Sequence, residues 1–178
     1  MEESHGTFDV AMNLFTSNHF ENQIHGLLTL NVPEDMNVGI SLASPGQNNK
    51  LLLKTCWASN ANDDIQFTFI ENYCGHELEL ESETLKIYSN GESDVYFSLA
   101  SFDWFDDSEA KIYLHCTVKI CDINLSNCKP ECSSGLDRRR RDISNYKLDI
   151  NNEQRVDIGP IYLGSHNPNA LFTKLPKY

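Results

Sequence analysis

The side chains in this sequence that could do chemistry are six cysteines, six histidines, pairs of adjacent acids and one run of arginines. The cysteines are Cys56, Cys74, Cys116, Cys121, Cys128 and Cys132, an even number with no C-x-x-C pair among them. A zinc site drawn from the last four would need the spacing C-x4-C-x6-C-x3-C, which is not a usual ligand set. Disulfide formation is the chemistry left to them, and it implies an oxidising compartment. Spacing alone leaves the pairing open. The sequon Asn124-Leu125-Ser126 lies between two of these cysteines and fits N-glycosylation of an exposed loop in a secreted protein.

Catalytic arrangements find no support. Cys56-Trp57-Ala58 has a superficial likeness to the nucleophile segment of papain-like proteases. The upstream glutamine and Cys-Gly of that segment are absent, and Cys56 is expected at a strand end with a disulfide partner. His5, His19, His25, His76, His115 and His166 are scattered, with no H-x-x-x-H or H-E-x-x-H spacing to place two on one face. Asp63-Asp64 and Asp106-Asp107 fall in expected turns and read as solvated turn residues, not as calcium ligands or catalytic acids. There is no glycine-rich phosphate loop and no G-x-S-x-G. No enzyme, no metal and no cofactor is therefore expected.

The run Arg138-Arg139-Arg140-Arg141, followed by Asp142, carries a different kind of chemistry. Four consecutive guanidinium groups repel one another and cannot be packed inside a fold, so they require an exposed segment. R-x-[KR]-R before a small or acidic residue is what furin-type convertases of the secretory pathway cleave. The chain then reads as a precursor cut after Arg141. A net charge of −12 argues against nucleic acid or anionic lipid as a partner, because those surfaces need a basic face. No stretch reads as a signal peptide or a transmembrane span, so an excised piece of a longer secreted or cell-surface protein is expected.

The elements that must position these groups are strands. Period-two alternation places Phe8, Val10, Met12 and Leu14 on one face, and recurs at Leu28-x-Leu30-x-Val32 and Met36-x-Val38-x-Ile40-x-Leu42. It returns at Ile65, Phe67 and Phe69, at Leu85-x-Ile87, along 94–105, and along Ile112-x-Leu114-x-Cys116-x-Val118-x-Ile120. Turn chemistry separates the runs at Pro45-Gly46, Asn60 to Asp64, Asn90-Gly91 and Asp106-Asp107-Ser108. No stretch holds helical spacing over three turns. Many short strands at such intervals predict an antiparallel β-sandwich, with 94–105 and 111–121 as its best hairpin. Residues 133–152 are polar and without alternation, an exposed linker carrying the arginines. Alternation resumes at Val156-Asp157-Ile158 and ends in Gly159-Pro160-Ile161-Tyr162-Leu163, and residues 165–178 read as a stalk. The divisions are thus a sandwich over 1–132, the linker over 133–152, a completing strand over 153–164, and the stalk.

The cysteine order, with Leu51-Leu52-Leu53-Lys54-Thr55-Cys56-Trp57-Ala58, Asn90-Gly91-Glu92-Ser93, Tyr113-Leu114-His115-Cys116 and Cys128-Lys129-Pro130-Glu131-Cys132, resembles the C-terminal subdomain of the zona pellucida (ZP) module, of the uromodulin-like type. The likeness covers about Gly6 to Leu163. It implies an immunoglobulin-like antiparallel sandwich with three disulfides, Cys56–Cys116, Cys74–Cys132 and Cys121–Cys128. The first two would close loops worth roughly 4 kcal/mol each in the chain-entropy model. It also implies an external hydrophobic patch at Val156, Ile158, Gly159, Pro160, Ile161 and Tyr162, which blocks polymerisation until released. An internal patch at Phe8, Val10, Met12 and Leu14 would be the surface that this strand protects. The function implied is a monomeric secreted precursor, made membrane-anchored through a C-terminal anchor missing here. Furin-type cleavage would release it to assemble with copies of itself or other ZP-module proteins into extracellular filaments or matrix. The alternative is a non-polymerising, membrane-proximal ectodomain of a ligand-binding receptor, which needs no releasable strand.

Overall fold

The computed structural model describes residues 9–43, 48–60, 66–101, 111–132 and 153–164. Where one face of a segment is apolar, that segment forms a strand: β1 (Val10–Phe15), β2 (Leu28–Leu30), β3 (Asp35–Leu42), β4 (Asn49–Ser59), β5 (Gln66–Glu71), β6 (Cys74–Gly75), β7 (Leu85–Ser89), β8 (Asp94–Ala100), β9 (Lys111–Asp122) and β10 (Glu153–Leu163). One short helix, α1 (Glu77–Glu81), precedes β7. The strands form two sheets, one ordered β1-β3-β8-β7 and the other β2-β10-β9-β4-β5-β6. Every pairing is antiparallel except β10 with β2, which is parallel. This is the all-β, immunoglobulin-like sandwich expected, with that one parallel contact added.

The inward faces close a single main core. Met12 and Leu14 of β1, Val38 and Ile40 of β3, and Val95, Phe97 and Leu99 of β8 meet Leu51 and Leu53 of β4 and Ile112, Leu114, Val118 and Ile120 of β9. The turn after β1 folds back over the outer face of the first sheet, with the Thr16 amide donating to the Asn22 carbonyl at 3.0 Å. It lays Phe20 on Tyr96, centroids 4.5 Å apart, and edge-on to Tyr88 at 5.5 Å. Gly39 is needed beneath this cover, since a Cβ there would lie 2.7 Å from the Phe15 ring.

Two expectations are corrected. The segments 94–105 and 111–121 do not form a hairpin: β8 pairs with β3 and β7 in one sheet, β9 with β4 and β10 in the other. Both runs are apolar enough to be central strands. Each needs two neighbours, and the two strands lie in different sheets. Cys56 does not end its strand but lies within the eleven-residue β4. Leu51, Leu52 and Leu53 are all fully buried, so β4 shows no alternation at that point. The outer side of Leu52 is covered by a second small core with Tyr73, Cys121 and Cys128.

Candidate functional site

β10 lies along β9, with Val156 opposite Cys116, Asp157 opposite His115 and Ile158 opposite Leu114. The register then shifts, and Ile161 sits opposite Ile112. Gly159 makes the shift possible, because its φ of 146° is unfavourable for an L side chain and a Cβ would meet the Tyr113 ring at 2.7 Å. The inward side of β10 graduates from half-buried Val156 and Ile158 to Ile161, which is 0% exposed, and buried Leu163. On its far edge, β10 pairs with β2 only from Ile161 to Leu163. Among the described residues, no strand pairs with that edge from 153 to 160.

The outward side of β10 is held by charge. Lys54 Nζ donates to Glu153 Oε2 at 2.6 Å. His115 Nδ1 and Asp157 Oδ1 are 2.6 Å apart, and His115 Nε2 lies 2.7 Å from Ser59 Oγ. The tautomer with the proton on Nδ1 satisfies both contacts: the imidazole donates to Asp157 and accepts the Ser59 hydroxyl proton. Arg155 Nε donates to Asp157 Oδ1 at 2.9 Å, and its guanidinium lies 5.1 Å over the Trp57 ring, which itself stacks on His115. Partial burial alone would raise the Asp157 pKa. The hydrogen bonds from His115 and Arg155 and the Arg155 charge outweigh it and hold the carboxyl below its ordinary range. Ser59, His115 and Asp157 together have the composition of a hydrolytic triad. Ser59 is only 2% exposed and its hydroxyl is capped by His115, so the row ties three strands together without offering a nucleophile to a substrate. Among the described residues, no group of three His, Cys, Asp or Glu could hold a metal ion.

Sequence reasoning missed this row because its members come from β4, β9 and β10 and share no local spacing. The only signal was alternation, which places His115 and Asp157 on the polar sides of their strands.

The predicted site residues fall as follows. Met12 and Leu14 point into the core and Val10 is half-buried. They do not form an edge that β10 pairs with. β1 belongs to the other sheet, and the edge that β10 covers is that of β9. β1 and β10 meet across the sandwich at an open cleft of about 220 Å³, lined by Asp9, Val10, Ala11, Ala43, Gln154, Arg155 and Val156. Gln154 Oε1 is buried and has no hydrogen-bond partner among the described residues. Phe8 and Arg138 to Arg141 lie outside the described residues.

The cysteines pair as Cys56–Cys116, Cys74–Cys132 and Cys121–Cys128, the set implied by the resemblance. The first joins directly opposed positions of β4 and β9. The third clasps the turn that carries Asn124, which is exposed and whose amide donates to Asp122 Oδ1 at 2.8 Å.

A two-sheet immunoglobulin-like sandwich with three such disulfides is the architecture of a ZP-C domain. The chain belongs to the zona pellucida family: residues 4–133 match its ZP-C domain. It is 30% identical over 177 residues to the mouse pancreatic secretory granule membrane major glycoprotein GP2, covering 96% of this chain and 32% of that protein. It is 33% identical over 134 residues to rat uromodulin, covering 72% of this chain and 20% of that protein. To chicken alpha-tectorin it is 27% identical over 162 residues, covering 88% and 7% respectively. The chain therefore spans a third or less of these relatives.

Proposed function

We propose that this chain is the C-terminal half of a ZP polymerisation module, and that β10 keeps a secreted precursor monomeric until furin-type cleavage after Arg141 frees it. The observation that carries the reading is the position of β10. It covers the edge of β9 from Lys111 to Lys119, and in the chain it follows 133–152, the segment with the arginine run. An uncovered edge of that length is a template for pairing with another chain. Cutting the linker does not expel β10, but it removes the high effective concentration that returns it to its seat. The edge of β9 can then accept a strand from another molecule by β-augmentation. The partners on this reading are other copies or other ZP-module proteins, and the product is an extracellular filament or matrix. The precursor is membrane-anchored, and Asn124 carries a glycan. Val156, Ile158, Gly159, Pro160, Ile161 and Tyr162 are then the blocking strand.

A second reading, a non-polymerising module next to the membrane, draws on the complete burial of Ile161 and the parallel pairing with β2. Those contacts suit a permanent strand. Replacing Arg141 with alanine in the full-length protein separates the two. On the first reading the protein is secreted but forms no filaments, and normal filaments from that variant would refute it.

A further inference from the structure

We propose that a closed Cys121–Cys128 bridge bars glycan transfer to Asn124, so that a race between the two reactions sets how many chains carry the sugar. The inference rests on the reading of Asn124 as a glycosylation site.

The sequon lies inside the ring that this bridge closes. Cys121 and Cys128 are seven residues apart, and the bridge holds their Cα atoms 5.8 Å from each other. An open segment of that length reaches about 23 Å. The ring is wound into a tight turn. The Leu125 and Ser126 amides both donate to the Asp122 carbonyl, at 3.0 and 3.1 Å, and the Asn124 amide donates to Asp122 Oδ1 at 2.8 Å. Ser126 Oγ lies 3.3 Å from Cys121 Sγ, so the hydroxyl of the sequon faces the bridge. The turn is also fixed to the body of the domain. The Ile123 amide donates to the Asn48 carbonyl at 2.9 Å, and both cysteines are buried with Leu52 and Tyr73. Asn124 itself is exposed, so shape and not burial withholds it. Transfer needs a freer segment, because the transferase must grip the asparagine amide and the serine hydroxyl together in its own geometry. The amide nitrogen then attacks the anomeric carbon of a lipid-linked oligosaccharide. The C–N bond forms as the C–O bond to the lipid diphosphate breaks, and the amide gives up one proton. The competing step joins two thiols and passes two protons and two electrons to a disulfide-bearing oxidant. It closes a short loop, whereas the Cys56–Cys116 and Cys74–Cys132 bridges span 60 and 58 residues, so it is the first of the three able to form. The outcome changes the surface. Ile123 and Leu125 beside Asn124 are both exposed, and the bare form presents them without a glycan.

The test expresses the full-length protein in secreting cells and reads the occupancy of Asn124 by mass spectrometry. Occupancy is read in the cell lysate, so variants that fail to fold are still scored. The paired substitution C121S/C128S should cut the bare fraction severalfold, and so should brief dithiothreitol during synthesis of the native chain. C56S/C116S disturbs the core but leaves the small ring, and should leave the bare fraction as it is in the native chain. Equal fractions in the native chain and C121S/C128S, full occupancy of both included, would overturn the order rule while leaving Asn124 a glycosylation site. An equal gain from both cysteine pairs would overturn it too, since general unfolding would then be the cause. No glycan on either the native chain or C121S/C128S would refute the glycosylation reading, and the inference with it.

Discussion

Replacing Ile161 with alanine removes the deepest anchor of β10 while leaving its charged contacts in place. Ile161 is fully buried, opposite Ile112 on one side and Leu28 on the other. Truncating a buried isoleucine to alanine costs roughly 2–5 kcal/mol, part lost transfer energy and part cavity. That is a shift of about 30-fold or more against the seated strand. In the uncut chain the tether returns β10 at an effective concentration of about millimolar, so the strand stays seated in the variant. After the cut, at micromolar protein, the return falls by about a thousandfold, and the two losses together empty the seat. Hydrogen exchange of the β9 amides that point toward β10 reports this directly. They should be protected in the uncut variant and open after cleavage, while β3 and β8 keep their protection in both. Loss of protection in both sheets at once would show that β10 is integral to the fold, and the argument for a releasable strand would be wrong. Unchanged β9 protection after cleavage would refute it equally.

Three further outcomes are expected. Gln154→Met removes a buried carbonyl oxygen with no hydrogen-bond partner among the described residues, which costs about 1–3 kcal/mol where it stands; thermal melting should shift upward by a few degrees and release after cleavage should slow. Gly159→Ala puts a Cβ against Tyr113 at a φ of 146°, a strain of about 1–3 kcal/mol, and should lower the melting midpoint and loosen β10. The Asp157 carboxyl is held below its ordinary value in the folded chain, so its contribution is complete above the unfolded pKa of about 4 and is lost as pH falls through the folded value. The seating of β10 should therefore weaken in that acid window, and Asp157→Asn should weaken it at neutral pH and flatten the acid dependence. A seating curve unchanged by the substitution would remove Asp157 from the clasp.

Much of this architecture is legible in the sequence where one face of a strand meets solvent. The alternation at 10–14, 36–42 and 112–120 matches β1, β3 and β9, because the apolar side chains there all take the inward face, while the outward residues that are also buried, such as Asn37, His115 and Lys119, are polar. It fails at Leu51-Leu52-Leu53, where the Cys121–Cys128 turn buries the outer face as well. Pairing is less legible than existence. Sequence neighbours 94–105 and 111–121 suggested a hairpin, but the choice of partner depends on which strands need two neighbours, a property of the assembled sandwich. The row from Ser59 through His115 to Asp157 was invisible for the same reason, since it exists only once three strands are in register. The cysteine pairing was open on spacing alone, and the family resemblance anticipated the arrangement found.

The most direct test of the central claim follows residues 153–163 through assembly. Full-length protein is treated with a furin-type convertase, and the products are separated by size and examined by electron microscopy and mass spectrometry. The account predicts filaments that lack the 153–163 segment and a small fraction that contains it. Filaments that retain this segment in full amount, or a cut protein that stays monomeric with β10 lost, would contradict it.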